Sequence, residues 1–297
     1  MSIVIASQTS ARQYARVLRH FASTRGVEVC ALQAAPLLGA CLAGLALNAH
    51  SVSRLGLLLL GSTALTAHAF VFNDWAGYSS DARDPRRASP GAGGTSISRD
   101  EIARVAIALL ILANVAFAAV GTPAMLIGAA IATLSLVYSF SPNIGKCMPI
   151  AASLNHLIGG ALLFLLGYTM VGAVDARGVA LSLFFGLVFA AGHLNQEVRD
   201  HEFDLASQIR TSAVAFGCRR GFMASFCLFS AAYLLIVCLA VLGALPKILL
   251  LGTIAWLVHT GWSLQALRRG LGFETALWMQ RRYRLLFAVV GLAMLVR

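Results

Sequence analysis

The stretch HLNQEVRDHEFDLASQIRTSAVAFG, from His193 to Gly217, decides both the fold and the candidate site. It holds a dense charge cluster within an otherwise apolar sequence. On a helix, Glu197, Asp200 and Asp204 fall at positions i, i+3 and i+7, so the three carboxylates share one face. Carboxylates on one face repel each other and lose hydration near a membrane, so they need a cationic partner. A divalent cation is the simplest such partner.

A second acidic stretch, FNDWAGYSSDARDPRR, follows another apolar segment. Asn73, Gly77 and Asp81 follow each other at four-residue steps, so they lie on one helical stripe, and Asp74 and Asp84 lie close to it. The two stretches together hold seven of the 12 Asp and Glu residues of the chain. Oxygen donors without a nearby Cys or a suitable His pair favour Mg²⁺ over zinc, and Mg²⁺ in enzymes commonly joins carboxylates to substrate phosphates.

The composition sets the class of protein. Hydrophobic residues make up 59% and charged residues 12% of the 297 residues, against roughly 25% charged residues in ordinary soluble domains. We therefore expect an all-α fold, a polytopic membrane bundle of about nine transmembrane helices around a central apolar chamber. The net charge of +11 has its source in the arginines that flank membrane segments, so no nucleic-acid partner is expected. The predicted spans are 28–48, 55–76, 102–120, 123–140, 150–172, 178–198, 221–243, 246–266 and 283–297.

The Lys and Arg residues fall mainly into alternate connections between these spans. One set of connections holds nearly all of them, whereas the other holds only Arg54, Arg177 and Lys247 before the chain ends at Arg297. Because cytoplasmic loops are rich in Lys and Arg, this asymmetry predicts a cytoplasmic N-terminus and an active site at the cytoplasmic end of the chamber. We expect an integral membrane protein of the bacterial inner membrane, with both acidic stretches facing the cytoplasm.

Two regions of unequal size are expected. Residues 1–26 are polar and basic and would form a cytoplasmic N-terminal segment, while residues 27–297 would form a single transmembrane domain. The oligomeric state is left open, since small-xxx-small pairs such as Gly39 with Ala43 occur in many membrane helices. A short amphipathic helix on the membrane surface is allowed within the first region by the spacing of Tyr14, Val17, Leu18 and Phe21.

Basic residues stand next to both acidic stretches and in a third cytoplasmic connection. Acids, a metal and bases at one mouth of an apolar bundle would suit a diphosphate that carries an apolar tail. A structural interpretation exists for each residue, since a helix-end acid often pairs with a neighbouring Arg, and Lys146 and Arg210 could serve only as cytoplasmic anchors. His68, His156 and His193 lie within apolar spans, where a lone His more often joins helices by a hydrogen bond, so they are left out of the predicted site. The candidate phosphate-binding cations are Arg83, Arg86, Arg87, Lys146, Arg199 and Arg210.

The two acidic stretches resemble the two motifs of the UbiA superfamily of intramembrane prenyltransferases, and the likeness runs over most of the chain. The first motif of that family has an Asn followed by Asp residues at four-residue steps, which Asn73, Asp74 and Asp81 match. The segments ISRDEI and VYSFSPNIGKCMP lie between the motifs and resemble connections of the family. The second motif is matched by Glu197, Asp200, Asp204, Arg210, Thr211 and Gly217.

The resemblance implies a Mg²⁺-dependent prenyltransferase that moves an isoprenoid from an allylic diphosphate to an acceptor small molecule, commonly an aromatic one, and releases diphosphate. It implies two Mg²⁺ ions bridged by the substrate diphosphate, and an allylic cation whose isoprenoid tail runs between helices towards the membrane lipid. The implied metal ligands are Asn73, Asp74, Asp81, Glu197, Asp200 and Asp204, of which Asn73, Asp81, Asp200 and Asp204 form the catalytic core. The implied diphosphate-binding residues are Lys146, Arg210, Arg199, Tyr138 and Ser139, and the residues expected at the acceptor or chamber are Asn155 and Trp75.

Two positions depart from the pattern of the family. Gly77 stands where the family usually has the middle Asp of the first motif, and Glu197 replaces an Asp at the start of the second. A missing carboxylate at position 77 is compatible with a terpene cyclase on the same scaffold, in which the double bonds of the substrate capture the cation. A transporter or a non-catalytic membrane protein is a further alternative, but transporters usually carry charges near the membrane midplane, whereas these acids lie at helix ends.

Overall fold

Helices follow each other without a strand in the part of the chain that the computed structural model describes, residues 2–81, 97–140 and 145–296. For residues 2–13 and 80–81 only the backbone is described. The helices are α1 (Ser2–Leu32), α2 (Ala34–Leu42), α3 (Ala49–Asp81), α4 (Arg99–Val120), α5 (Thr122–Phe140), α6 (Ala151–Tyr168), α7 (Ala176–Ala206), α8 (Ser212–Phe216), α9 (Cys218–Val241), α10 (Gly252–Arg269) and α11 (Phe273–Ala293), with 3₁₀ turns at Gly145–Cys147 and Lys247–Leu251.

Eight segments within the described residues are long and apolar enough to cross a membrane. They follow the first eight predicted spans, and the all-helical polytopic bundle is confirmed. The ninth predicted span, 283–297, overlaps α11, which is not among the eight and carries Glu274, Arg281 and Arg282. The eight are Tyr14–Leu42, Ala49–Ser79, Arg99–Val120, Thr122–Phe140, Ala151–Tyr168, Ala176–Ala206, Cys218–Val241 and Lys247–Arg269.

The N-terminal segment continues into the bundle. α1 is one unbroken helix, and its second half belongs to the first candidate span. Val17 and Phe21, two of the residues whose spacing allows a surface helix, are buried in a cluster with residues of α3 and α4. A break at Gln33 separates α1 from α2, and Pro36 then lies in the first turn of α2, where a missing N–H removes no helical hydrogen bond.

Two helices that lead to the site begin at strong N-caps. α4 begins with a capping box, in which the hydroxyl oxygen of Ser98 accepts from the N–H of Glu101 and the Glu101 carboxylate accepts from the N–H of Ser98 at 2.8 Å. α7 begins at Asp175, whose carboxylate accepts from the N–H of Gly178 at 2.7 Å and from the Tyr168 hydroxyl at 2.8 Å. These hydrogen bonds hold the pKa of Asp175 below its usual range, and the bond from Gly178 has the largest effect. The start of α7 is thereby fixed, and with it the register of the acids in its last turns.

The helices pack mainly on their neighbours in the chain. α3 packs against α4 and α5, α6 against α2, α5 and α7, and α7 against α9 and α11. α11 returns to the start of the chain, since Arg284 lies 3.4 Å from Glu28 of α1 in an ion pair. In the described part of the chain α3 and α7 do not pack extensively on each other. The two acid-bearing helices are therefore separated, with α5 and α6 between them along one side.

α2 and α6 approach each other closely at two glycines. A Cβ at Gly39 would overlap the carbonyl of Phe164, and a Cβ at Gly167 would overlap the carbonyl of Pro36. The obstacle is backbone in both cases, so no flexible side chain could move aside. This contact ties α2 to the large apolar core that contains Phe164 and Phe185.

The two arginines of the sparsely charged connections bind helix C-termini. Nη2 of Arg54 donates to the carbonyl of Val120, the last residue of α4, at 3.0 Å. Arg177 donates from Nε to the carbonyl of Ala244 and from Nη1 to that of Leu42, the last residue of α2, both at 3.0 Å. The last carbonyls of a helix lack intrahelical partners and carry partial negative charge. These arginines therefore stabilise the end of the bundle that lies opposite the acidic stretches.

Candidate active site

The last turns of α7 carry the predicted acids at one end of the bundle, which we call the acid end. Glu197 and Asp204 are buried, with relative exposures of 4% and 9%, and Asp200 is half-buried. All three lie within one continuous helix, so the predicted spacing does place them on one face. Several carboxylates buried close together cost free energy unless hydrogen bonds or cations compensate them. Their partners therefore define what the site can hold.

Asp200 is held in a two-point ion pair by the adjacent Arg199. Nη2 of Arg199 lies 2.7 Å from Oδ2 and Nε lies 3.0 Å from Oδ1. The remaining Nη1 donates to Oε1 of the buried Gln280 on α11 at 2.8 Å. A fixed guanidinium, which is a phosphate-binding group, thus stands next to a carboxylate, which is a metal-binding group.

Glu197 is tied to α8, the short helix that follows α7. Its Oε2 accepts from the N–H groups of Ser212 and Ala213 at 2.9 and 3.3 Å, so the carboxylate caps the first turn of α8. Its Oε1 lies 3.0 Å from Nε2 of His193, but out of the direction that a hydrogen bond requires. One carboxylate oxygen is therefore committed to the backbone, and the other has no hydrogen-bond partner among the described residues.

The connection between α5 and α6 brings Lys146 to the acids. Lys146 is half-buried and interacts electrostatically with Asp204, which also lies next to the hydroxyl of Thr211. Arg210 is exposed at the mouth of the site, and its backbone lies beside the thiol of Cys147. The predicted cations Lys146 and Arg210 therefore come from two connections that meet above the end of α7.

The meeting of these two connections depends on local backbone geometry. The N–H of Ile150 donates to Oγ of Ser212 at 3.3 Å, which joins the start of α6 to the start of α8. Gly145 has a φ of +77°, and a Cβ there would overlap the backbone of Tyr138, so the turn requires glycine. Tyr138 lies near the acids of α7, and the neighbouring Ser139 is buried. The predicted Tyr-Ser pair thus lies at the acid end.

Two histidines that were left out of the predicted site lie beside these acids. The rings of His156 and His193 are stacked, with centroids 3.7 Å apart and planes 7° from parallel. Tyr138 meets both rings edge-on, at 5.0 and 6.0 Å between centroids. His193 lies one turn before Glu197 on the acidic stripe, and this position was a usable signal in the sequence. His156 lies on a different helix, and no pattern in the sequence connects it with the acids.

Residues 72–81 of the first acidic stretch form the end of α3. Oδ1 of Asn73 is buried and has no hydrogen-bond partner in the described part of the chain. Oδ1 of Asp74 lies 3.9 Å from Nη2 of Arg25 on α1, and Gly77 is buried. Asp81 is the last residue of α3, and its side chain is not described. The predicted residues Arg83, Asp84, Arg86 and Arg87 lie outside the described residues.

α1 connects the two acidic stretches through two charges three residues apart. Arg25 forms an ion pair with Asp74 of α3, and Glu28 forms one with Arg284 of α11. Glu28 also interacts electrostatically with Arg199 of α7. Residues three apart on a helix lie on one face less than one turn from each other. The acids of α3 and α7 are therefore at the same end of the bundle.

The two residues predicted for the acceptor or chamber have different surroundings. Trp75 stacks on Phe72 at 5.3 Å between centroids and lies under the guanidinium of Arg99 at 4.5 Å, at the interface between α3 and the start of α4. Asn155 is half-buried on α6, one residue before His156. Of the two, Asn155 is on the helix that packs against α7.

The described residues contain no group of three or more His, Cys, Asp or Glu side chains arranged to hold a metal ion. The side chain of Asp81 and all of Asp84 lie outside that part of the chain, and Asn73 would contribute an amide oxygen. The donors are thus carboxylate and amide oxygens from two separate helices. Such a set suits a hard cation that is partly coordinated by oxygens of a substrate.

The fold and the site define a class, a polytopic helical membrane protein with oxygen donors and cations gathered at one end of its bundle. The sequence profile of the UbiA prenyltransferase family matches residues 37–293. The chain belongs to the UbiA prenyltransferase family and is an integral membrane protein. No curated protein gives a significant match to it.

Solved structures share the fold along nearly the whole chain. A UbiA homologue from Archaeoglobus fulgidus bound to GPP and Mg²⁺ has a TM-score of 0.71 and 20% identity, covering 95% of this chain and 99% of the homologue. A structure from work on digeranylgeranylglyceryl phosphate synthase in membranes has a TM-score of 0.70 and 18% identity, covering 97% and 98%. The apo structure of a UbiA homologue from Aeropyrum pernix K1 has a TM-score of 0.64 and 17% identity, covering 89% and 96%.

Proposed function

We propose that the protein is a Mg²⁺-dependent intramembrane prenyltransferase that transfers an isoprenoid from an allylic diphosphate to an aromatic acceptor and releases diphosphate. The observation that carries the proposal is the juxtaposition of carboxylates and cations at the acid end, Asp200 with Arg199 and Asp204 with Lys146. Carboxylates suit a metal ion, and the cations beside them suit the phosphates that the metal would bridge. Family membership supports this assignment, as does the shared fold of a homologue that binds GPP and Mg²⁺.

The residues at the acid end fit a hard divalent cation. The buried Oδ1 of Asn73 lacks a hydrogen-bond partner among the described residues, so an oxygen ligand is in place on α3. Asp74 and Asp200 each lie near a guanidinium group. A bound ion would contact the same carboxylate as that guanidinium group. Mg²⁺, when bound, would act as a Lewis acid on the diphosphate. We assign two ions to Asn73, Asp74, Asp81, Glu197, Asp200 and Asp204, with Glu197 limited to the oxygen that does not cap α8.

The side chains of the protein would stabilise the leaving diphosphate. Arg199 and Lys146 would neutralise its charge while the bond between the allylic carbon and oxygen breaks and the electron pair leaves with the diphosphate. Arg210 would add charge at the mouth, and the hydroxyls of Tyr138 and Ser139 would donate hydrogen bonds. A nucleophilic atom of the acceptor then forms a bond to the allylic cation and the acceptor loses a proton. The apolar interior of the bundle would exclude water that could capture the cation first.

A terpene cyclase on the same scaffold is the second candidate, and Gly77 is the observation that favours it. The family usually has a carboxylate at this position of the first motif, so position 77 would offer no metal ligand here. In a cyclase the allylic cation would be captured by a double bond of the same substrate. Release of diphosphate would then not depend on an acceptor.

The acid end is proposed to face the cytoplasm of a bacterial cell, with the protein in the inner membrane. The connections at this end hold nearly all Lys and Arg residues, as the positive-inside rule requires of cytoplasmic loops. Arg54 and Arg177, at the other end, bind helix carbonyls and so have a structural reason to be there. A cytoplasmic site would also meet water-soluble Mg²⁺ and newly made diphosphates.

The function is tested by the release of inorganic diphosphate from a panel of allylic diphosphates, with and without Mg²⁺ and aromatic acceptors. We expect release to require Mg²⁺ and to fall by at least about 100-fold in Asp200→Asn, because the variant loses charge where metal and substrate would meet. Glu202→Gln is the matched control, since Glu202 is an exposed acid on the same helix. It should keep the wild-type rate.

The acceptor dependence separates the two candidate functions. Release that needs an acceptor supports the transferase, and release without any acceptor, with a cyclic hydrocarbon or alcohol as product, supports the cyclase. Equal loss in Asp200→Asn and Glu202→Gln, or no release under any condition, would contradict the diphosphate site. Transport would then be the hypothesis to examine.

A further inference from the structure

Two arginines and two tryptophans form a cluster where α10 turns into α11, and we call it the α10–α11 cluster: Trp262, Arg269, Trp278 and Arg282. The guanidinium carbon of Arg282 lies 3.9 Å from the ring centroid of Trp278 and 5.8 Å from that of Trp262. The guanidinium carbon of Arg269 lies 4.9 Å from the same Trp278 ring. Two cations thus share one indole.

The positive charge of this cluster has no ion-pair partner in the part of the chain that the structure describes. Within the described residues neither Arg269 nor Arg282 has a carboxylate within ion-pair distance. From Trp262 to Arg284, both included, the sequence holds one acid, Glu274, and five arginines. Two guanidinium groups over one ring repel each other, although each is attracted to the face of the ring. An anion that binds both would relieve this repulsion.

The position of the cluster indicates where such an anion would come from. The same two helices expose large apolar side chains, among them Leu264 (52% exposed) and Leu285 (68% exposed). Tryptophan and arginine beside an exposed apolar surface are typical of the level of lipid headgroups. A ligand that meets this surface would place a negative headgroup at the cluster and an apolar chain along the helices.

We propose that the α10–α11 cluster is a binding site for the phosphate of an anionic phospholipid. The site is separate from the proposed prenyl-transfer chemistry, because neither arginine contacts the acids of α7 in the described structure. It is connected to that chemistry through α11, since Asn195 of α7 donates to the carbonyl of Ala276 at 3.2 Å and Arg199 donates to Gln280. A lipid bound at the cluster would stabilise the first turns of α11, which carry Gln280, and would thereby help to position Arg199.

The structure provides a matched control within the same hairpin. Arg268 and Arg281 are exposed and adjacent in sequence to the cluster arginines, and no ring contact is seen for either in the described part of the chain. Removing either pair of arginines changes the net charge by the same amount. A defined site predicts unequal effects of the two double variants, whereas diffuse attraction to a negative membrane predicts equal effects.

The test is a lipid titration by native mass spectrometry of the full chain in neutral detergent. Phosphatidylglycerol and phosphatidylcholine with identical acyl chains are compared for the wild type, for Arg269→Gln with Arg282→Gln, and for Arg268→Gln with Arg281→Gln. We expect the wild type to prefer phosphatidylglycerol and the cluster variant to lose on the order of 30-fold in affinity for it, roughly five-fold for each arginine. The control variant should keep most of the affinity.

Two further measurements test the lipid site. If the double variant does not fold, Trp278→Leu takes its place in the titration. This variant retains both positive charges and should still weaken the binding of phosphatidylglycerol. Inorganic phosphate at the same concentration should not displace the lipid. Equal losses in the two double variants, no preference over phosphatidylcholine, or full displacement by phosphate would each overturn the proposed lipid site.

Discussion

At the residue scale, Glu197 combines a place in the acidic stripe with a structural contact. One carboxylate oxygen accepts hydrogen bonds from the N–H groups of Ser212 and Ala213, and the other faces His193 without a well-aligned hydrogen bond. Hydrogen bonds to a charged group contribute about 1.5–3 kcal/mol each. The carboxylate therefore supports α8 whether or not it also binds metal, and the two roles can be separated by experiment.

Glu197→Gln keeps an oxygen that can accept from α8 but removes the negative charge. We expect the melting temperature to fall, because the hydrogen bonds to Ser212 and Ala213 lose their charge assistance, at a cost of about 1–3 kcal/mol. Because its other oxygen is assigned to the metal, the Mg²⁺ concentration for half-maximal diphosphate release should also rise, by at least about three-fold, or ~0.6 kcal/mol. Thermal melts and a Mg²⁺ titration measure the two quantities. A strongly raised Mg²⁺ requirement with an unchanged melting temperature would show a metal ligand and contradict the capping role.

The acids of the candidate site were predictable from the sequence, but most of their partners were not. Carboxylates are rare in this chain, so their helical spacing alone identified the stripe of α7. Gln280 lies 81 residues from Arg199, and His156 lies on another helix from His193, so only tertiary packing brings them together. No periodicity within one segment carries that information.

At the element scale, the hydrophobic pattern predicted where helices lie better than how they pack. Runs of apolar residues gave the spans, because a membrane helix needs such a run. The short α8 was not predicted, since five residues leave no period to detect, although Thr211 is a good N-cap for it. α1 includes the residues whose spacing allowed a short helix on the membrane surface, and its buried Val17 and Phe21 show that part of its apolar face meets α3 and α4.

The contact between α2 and α6 gives a prediction with an internal control. Gly167→Ala places a methyl group against the Pro36 carbonyl, whereas Gly159→Ala on the same helix meets no atom within 4 Å. We expect Gly167→Ala to lower stability by about 1–3 kcal/mol, the usual range for overpacking, and Gly159→Ala to leave it unchanged or raise it by up to about 1 kcal/mol. Thermal melts in detergent measure both. Equal effects of the two substitutions would contradict the close approach of α2 and α6.

At the scale of the whole molecule, charge is distributed unequally between the two ends of the bundle. At one end Arg54 joins α3 to the last residue of α4, and Arg177 joins the start of α7 to the last residue of α2 and to the connection after α9. At the other end the acids of α3 and α7 meet arginines from α1 and α7 and the lysine between α5 and α6. The first end is thereby stabilised by structural contacts, whereas the second end holds the acids and cations that the proposed prenyl transfer would need.

The proposed function requires a metal-bound diphosphate to join α3 and α7 at the acid end, since these helices do not pack extensively on each other in the described part of the chain. The most direct measurement is a crystal structure of the protein with Mn²⁺ in place of Mg²⁺ and a non-cleavable allylic thiolodiphosphate, in which anomalous scattering locates the metal. We expect metal between the two helices, with oxygen ligands from Asn73 or Asp81 on α3 and from Asp200 or Asp204 on α7, and the diphosphate beside Arg199. Metal bound by one helix alone, or a diphosphate away from the acid end, would contradict the proposed function.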